Sequence, residues 1–433
     1  MVVVANVYLW EIYVGAVYWD QASGIASFQF DPGFFRYSWD ISPLTMPLSE
    51  AGQGRIYSFP DIPAETYTGL PGLLSDSLPD KFGHQLINTW LAIQGRPENS
   101  MNPVEMLCYM GKRGMGAFEF RPATRIERGT SYFLEISELV DLAQKALNRK
   151  DELNANMSED EKQAMLDIIR VGTSAGGARA KAVIAINKHG KVRSGQLDAP
   201  DGYTHWLIKL DGVADEQLGD PKGYGRIEYA YYRMAIDCGI TMSECKLLEE
   251  NGWAHFMTRR FDRPDHNTKL HMLSLCGLGH YDYNNPLAYS YEQAFQTLRS
   301  LRLPYPDADQ LYRRMVFNVV GVNHDDHTKN ISFLMNKSGQ WSLSPAYDMT
   351  YAFKPSHKYL AQHQLSINNK RSGITRSDLL LLAERMNIKK PNEIIDQVTD
   401  VISQWPGYAG SAGIPIRQAE TIGKAHLIRI CNR

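Results

Sequence analysis

The sequence predicts an α+β chain built from several domains, strand-rich at its beginning and mainly helical towards its end. Three observations predict it. From Val2 to Phe59, runs of Val, Tyr, Trp and Phe are broken by Gly15, Gly24, Asp31-Pro32-Gly33 and Pro43, the pattern of short strands joined by turns. Beyond Tyr291 apolar residues recur at helical spacing instead, in Phe295, Leu298 and Leu301 and again in Leu311, Met315 and Val319. The length, 433 residues, corresponds to about two to four domains at roughly 100–200 residues each.

Composition narrows the class. Apolar residues make up 43% of the chain and charged residues 22%, ordinary globular proportions that exclude a disordered chain or a fibrous repeat. Lys plus Arg number 46 against 48 for Asp plus Glu, a net charge of −2, so no global field steers the chain towards nucleic acid or an anionic membrane. The five cysteines, Cys108, Cys238, Cys245, Cys276 and Cys431, are odd in number and lack Cys-x-x-Cys spacing. That argues against a disulfide framework and a structural zinc site, and for a reducing compartment. The first basic residue is Arg36 and Glu11 interrupts the apolar start, so the basic n-region of a secretory signal is missing. No apolar run reaches the roughly 18 residues of a membrane span. The expectation is a cytoplasmic protein without a membrane partner.

Element by element, Phe82, Leu86, Trp90 and Ile93 predict a helix over residues 79–93, with Pro79 in its first turn and its apolar face on the N-terminal sheet. Residues 1 to about 122 then read as one small α+β unit. Ser137 opens an apolar-periodic stretch, and Ser158 with Glu161 forms a capping box, predicting two further helices. A glycine-rich segment over 171–179 leads into a strand over 182–186, a Lys188-His189-Gly190 turn, and a strand over 205–210. A helix over 226–237 stops at Gly239, and Asn251-Gly252 marks a hairpin over 246–261. Within the helical part, 330–335 and 340–343 form a hairpin across Lys337-Ser338-Gly339, and residues 378–386 are helical. There is no internal repeat and no low-complexity linker.

Chemistry concentrates between the long apolar helix and that hairpin, where residues 321–330 read GVNHDDHTKN, and just beyond it, at Pro345-Ala346-Tyr347-Asp348. A kinase-type phosphotransferase needs a carboxylate at the acceptor hydroxyl and, after four intervening residues, an Asn that reaches the metal. It also needs a second carboxylate, beyond a hairpin, to hold the Mg²⁺ that bridges the nucleotide phosphates. Asp325, Asn330 (after the four intervening residues 326–329) and Asp348 fill those places. Upstream, Thr173 to Ala178 offers small residues whose backbone N–H groups can approach phosphate oxygens. Lys209 ends a strand and Glu228 lies nineteen residues later on a helix, the arrangement of a phosphate-pairing lysine and the acid that orients it.

Each feature alone has an ordinary reading: a turn, a solvated strand end, a helix-surface charge, a helix C-terminal turn capped by His327. A hydrolytic metal cluster of His324, Asp325, Asp326 and His327 is a further alternative. The kinase reading rests on five features in kinase order. Lys370, Arg371 and Arg376 form a basic cluster for which a solvated loop is preferred over DNA phosphate contact, the whole chain being too weakly basic to bind DNA strongly alone.

With those residues assembled, the sequence resembles the HipA family of bacterial serine/threonine kinase toxins over nearly its whole length. The resemblance is carried by GLLSDSLPD at 72–80 with Gly83, GKRGMGAFEFRP at 111–122, the loop matching Gly-x-Ser-x-Gly-Gly-Ala-x-Pro-Lys, residues 205–210, Arg260-Phe261-Asp262-Arg263, residues 325–330, and residues 345–348. One departure is Ala180, where the family has Pro, which bears on loop rigidity more than on catalysis. The resemblance implies a bilobal protein-kinase-like fold, distantly similar to phosphoinositide kinases. It divides the chain into a β-rich N-terminal unit over 1–122, an N-lobe with the phosphate loop over 123–258, and a helical C-lobe over 259–433. It implies ATP and Mg²⁺ as cofactors, Asp325 as base, and Asn330 and Asp348 as metal ligands. Nucleotide contacts are implied for Ala175, Gly176, Gly177, Ala178, Arg179, Lys181, Lys209, Arg259, Phe261, His327, Asn330, Tyr347 and Asp348, with an adenine hinge at 259–261. Ser174 falls at the family's autophosphorylated serine, whose phosphate would look to Arg179, Lys181, Arg260 and Arg263 for cationic partners. The implied partners are a small helix-turn-helix antitoxin of the HipB kind, operator DNA through that antitoxin, and a protein substrate such as an aminoacyl-tRNA synthetase. The residues by themselves leave open a small-molecule or lipid kinase and a non-catalytic kinase-fold partner of antitoxin and DNA.

Overall fold

The structure, a computed structural model, describes residues 2–93, 95–123, 180–195, 198–213, 223–265 and 268–432. The helices expected after Ser137 and Ser158 and the glycine-rich loop with Ser174, Ala175, Gly176, Gly177, Ala178 and Arg179 lie outside the described residues. The chain forms two compact units, one of Met1–Gly225, Lys246–Met272 and Met335–Gly339, the other of Arg226–Cys245, Leu273–Leu334 and Gln340–Arg433.

The first unit holds two five-stranded sheets. Strands β1 (Val4–Leu9), β2 (Ile12–Asp20), β3 (Ile25–Phe30), β4 (Ile56–Tyr57) and β5 (Phe118–Pro122) join in the order β4-β3-β2-β1-β5. Alternation buries Ala5, Val7 and Leu9 of β1 and leaves their neighbours half-buried, as a strand with one core face requires. The second sheet, β7-β6-β8-β10-β9, uses β6 (Lys181–Asn187), β7 (Val192–Ser194), β8 (Tyr203–Lys209), β9 (Cys245–Glu250) and β10 (Trp253–Arg259). The β9–β10 turn is the expected one: Asn251 and Gly252 take φ of 51° and 82°, the consecutive left-handed pair of a type I′ turn.

The helix foreseen over 79–93 runs Lys81–Ile93. Asp80 accepts the Gly83 N–H at 2.7 Å and so caps it, which leaves Pro79 ahead of the cap and outside the first turn. Its apolar face does not cover the N-terminal sheet. Phe82, Leu86, Ile87 and Leu91 share a buried cluster with Ala182, Ile184, Trp206, Ile208 and Met257 of the second sheet. The N-terminal sheet instead meets the helix Pro103–Met110, through β1, β2 and β5.

The compact units divide the chain at positions other than residues 122 and 258, and a buried ion cluster joins segments within the first of them. Arg260 and Arg263 pair with Asp262 at 2.6 and 2.7 Å. Asp262 accepts the Gly116 N–H at 2.8 Å, and Arg263 donates to the Gly116 carbonyl at 2.9 Å. Burial alone would raise the Asp262 carboxyl, but the two guanidiniums outweigh it and hold the group well below the usual carboxylate range. Lys269 adds an ion pair to Glu119 at 2.9 Å. The stretch after β10 is thereby fastened to the 111–122 segment inside one unit.

The second unit is mainly helical: Tyr224–Asp237, Tyr291–Ser300, Tyr305–Val320, Arg376–Met386, Pro391–Ser403, Trp405–Ser411 and Ile416–Ala425. A third sheet, β11-β12-β13, consists of β11 (His271–Ser274), β12 (Ser332–Met335) and β13 (Trp341–Leu343). The basic cluster is engaged internally, with Lys370 on Asp378, Arg376 on Asp396 and Arg371 donating to the carbonyls of Pro286 and Tyr289. Among the described residues no helix is long and apolar enough to cross a membrane.

Histidines lowered by burial make stability depend on pH. Burial pushes His271 and His426 down to about 4, with His280 and His324 lowered to the same value. The unfolded chain then binds protons more readily than the folded one between that value and about 6.5. Stability is accordingly full above about 6.5 and falls as the pH drops towards 4, by about 1.4 kcal/mol per unit for each such histidine. Urea unfolding midpoints from pH 7.5 to 4 are expected to decline across this window; a flat profile would show that these rings protonate freely in the folded chain.

Candidate active site

The helix Tyr305–Val320 positions the loop that follows it. Gly321 donates its N–H to Phe317 and closes the last turn, and Val322 then takes a left-handed φ of 55° that throws the chain out of the helix. For a β-branched residue that conformation is strained, and Asn323 holds it in place. Its N–H and its amide Nδ2 both reach back to Asn318, each at 2.9 Å. Further along, Thr328 donates to the Tyr281 carbonyl at 2.6 Å. Asn330 Nδ2 donates to the Asp325 carbonyl at 2.7 Å, so the four-residue spacing closes the loop upon itself. With the nitrogen used there, Asn330 Oδ1 is the end that can coordinate or accept. Asp325, His327, Asn330, Tyr347 and Asp348 line one cleft. Asp348 has φ of 53°, a conformation Asp tolerates better than most residues. Tyr347 donates to the Lys329 carbonyl and lies against Ser332 Oγ, both at 2.5 Å.

The two adjacent aspartates have different surroundings. Asp326 is buried and fully engaged: Tyr291 and His363 donate to its Oδ2 at 2.9 Å each, and the Gln364 N–H donates to its Oδ1 at 2.7 Å. Burial, with this carboxylate alongside, raises the Tyr291 hydroxyl well above its ordinary range and keeps it a donor. Asp325 keeps 45% of its side chain open to solvent and accepts one side-chain bond, from Gln364 Nε2 at 2.9 Å. One carboxylate anchors the loop and the other is available to a reactant.

This arrangement removes the hydrolytic-cluster alternative. Asp326 is occupied, and His324 is a packing residue, its Nδ1 3.1 Å from the Leu360 carbonyl and its ring against Phe353 and His363. Burial pushes His324 down to about 4. Among the described residues no group of three or more His, Cys, Asp and Glu could hold a metal ion. Mg²⁺ asks for less: an oxygen ligand or two, with phosphates and water completing its shell. Asn330 Oδ1 and the Asp348 carboxylate fit that demand.

In the first unit Lys209 ends β8, in register with Lys181 on β6 and Phe256 on β10, its Nζ 5.8 Å from the Phe256 ring. Lys181 differs from expectation: it is buried in an ion pair with Asp80 at 2.7 Å, so its ammonium already has a carboxylate. Arg260 and Arg263 are likewise committed to Asp262, and three of the four cations expected to receive a phosphate on Ser174 are therefore engaged. Arg259 ends β10 and donates to the Pro264 carbonyl at 2.9 Å, and half-buried Phe261 follows in the turn. Glu228 is buried on the helix Tyr224–Asp237 of the second unit, against the reading of a surface charge. Sequence reasoning missed Tyr291, Asn318, Asn323, His363 and Gln364. Asn318, an amide among Val316, Phe317, Val319 and Val320, was a readable signal; His363 and Gln364 carried none.

Two family models match the chain, the HipA N-terminal domain over residues 5–121 and the HipA-like C-terminal domain over residues 173–405. Among solved structures, HipA from the toxin–antitoxin system of Shewanella oneidensis MR-1, determined with HipB and operator DNA, superposes with a TM-score of 0.69 at 15% identity. The match covers 99% of this chain and 97% of that one. At that identity the likeness is one of fold, and the fold is α+β and HipA-like. A proinflammatory kinase of Helicobacter pylori, CtkA, matches 51% of this chain and 84% of its own at 12% identity with a TM-score of 0.33, too low to carry an argument. No curated protein sequence matches.

Proposed function

The chain belongs to the HipA family, and on that premise we propose that it is an ATP- and Mg²⁺-dependent serine/threonine protein kinase, the toxin of a toxin–antitoxin pair. The observation that carries the reading is the convergence of Asp325, Asn330 and Asp348 on one cleft, with Asp325 exposed and Asp326 buried beneath it. In this mechanism Asp325 accepts the proton of a Ser or Thr hydroxyl as that oxygen bonds to the γ-phosphorus and the bond to the β,γ-bridging oxygen breaks, leaving ADP. Asn330 and Asp348 would hold Mg²⁺, whose charge would offset that of the phosphates. In the same reading Lys209 would pair with the phosphates, the loop of Ala175 to Arg179 would be their backbone cradle, and His327, Tyr347 and Arg259 to Phe261 would serve as nucleotide contacts.

A helix-turn-helix antitoxin, operator DNA reached through it, and a protein substrate such as an aminoacyl-tRNA synthetase complete the reading; the HipA solved with HipB and operator DNA supports the first two. Autophosphorylation of Ser174 silences the enzyme. It adds about 1.5–2 negative charges to the loop proposed to receive ATP, which repels the nucleotide phosphates. Incubation with labelled ATP and Mg²⁺ tests the activity. Label on protein Ser or Thr, Ser174 included, supports it; label on a small molecule favours the small-molecule kinase, and no transfer favours a binding role. Asp348→Ala is expected to weaken ATP binding in calorimetry with Mg²⁺ and to matter far less in EDTA, because this carboxylate acts through the ion. Equal losses in both conditions would make Asp348 structural.

A further inference from the structure

A half-exposed carboxylate such as Asp325 turns about its torsions within picoseconds to nanoseconds unless something restrains it, while a base has to keep one oxygen within reach of the hydroxyl it deprotonates. His327 Nε2 stands 3.7 Å from Asp325 Oδ1, too far for a hydrogen bond. Gln364 Nε2, at 2.9 Å from the same oxygen, is close enough. Gln364 is itself 4% exposed, and its main-chain N–H is held by Asp326 Oδ1. Consecutive carboxylates thus grip one residue, Asp326 by its backbone and Asp325 by its side chain. The amide's orientation follows from chemistry: an ionised carboxylate only accepts, so the nitrogen faces Asp325. Oε1 is then buried without a partner among the described residues, a cost that an apolar residue of the same size would avoid. Packing alone does not account for a glutamine here.

We infer that Gln364 is a positioning residue for phosphoryl transfer, holding Asp325 Oδ1 so that Oδ2 is left for the acceptor hydroxyl; this rests on Asp325 being the base. Gln364→Met and Gln364→Glu are nearly isosteric tests, compared with wild type and Asp325→Asn in one kinase assay, with unfolding midpoints and crystal structures of each. The Met variant is expected to keep its unfolding midpoint and its KM for ATP, to lose about 10- to 100-fold in kcat, as misplacement of a reacting group does, and to show the Asp325 carboxylate turned or spread over several rotamers. The Glu variant should lose more, since it sets a like charge against Asp325. If Asp325→Asn is inactive while Gln364→Met matches wild type, or if Asp325 stays fixed in the Met variant, the positioning role is overturned and the base assignment stands. An active Asp325→Asn overturns both.

Discussion

Asp325→Asn is expected to lower the rate of phosphoryl transfer by about 10²–10⁴-fold, the usual loss when a general base is removed, while unfolding midpoint and ATP affinity stay at wild-type values. The separation of effects follows from the site. Asp325 accepts one side-chain bond, from Gln364, and the bond that closes the loop comes to its backbone carbonyl from Asn330, which the substitution leaves in place. The amide keeps the size of the carboxylate but cannot take the proton. Single-turnover kinetics with saturating ATP check this directly, and an undiminished rate would remove Asp325 from the mechanism. Asp326 offers the contrast: it is buried under three donors, so replacing it should damage the fold before it informs on chemistry.

Asp262→Ala is expected to cost stability rather than catalysis, about 3–5 kcal/mol, the range for removing one partner of a buried ion pair. Two guanidiniums with side chains 1% and 5% exposed would be left without their shared carboxylate, and the Gly116 N–H would lose its acceptor. Burial already pushes Arg263 down to about 10, against the opposing pull of Asp262. Denaturant unfolding measures the loss. Replacing Arg260, Asp262 and Arg263 together by apolar residues of similar volume should cost less than the single substitution, since no buried charge is then stranded. If the triple replacement is the more damaging, the cluster acts through its geometry and not through charge compensation.

How much of this was legible in the sequence depends on the range of each interaction. The Asn251-Gly252 turn, the stop at Gly239 and the hairpin after Asn330 are local and read correctly. The helix Lys81–Ile93 was legible as a helix from its own period, but that period does not say which sheet its apolar face meets. In the structure that face meets the second sheet, and the helix Pro103–Met110 meets the N-terminal strands.

The same distinction runs through the site. The sequence by itself determined the order Asp325, Asn330, Asp348 and the loop that closes between the first two, because a bond across five positions depends on little beyond local chain geometry. Only the tertiary structure decided which of the adjacent aspartates is exposed, since the groups that bury Asp326 come from 35 to 38 positions away. It also decided that Lys181 is held by Asp80 and that Arg260 and Arg263 share Asp262 beside the Gly116 backbone. Charge type and spacing announce that a side chain can pair; which partner it meets is set by the path of the folded chain, to which spacing is blind.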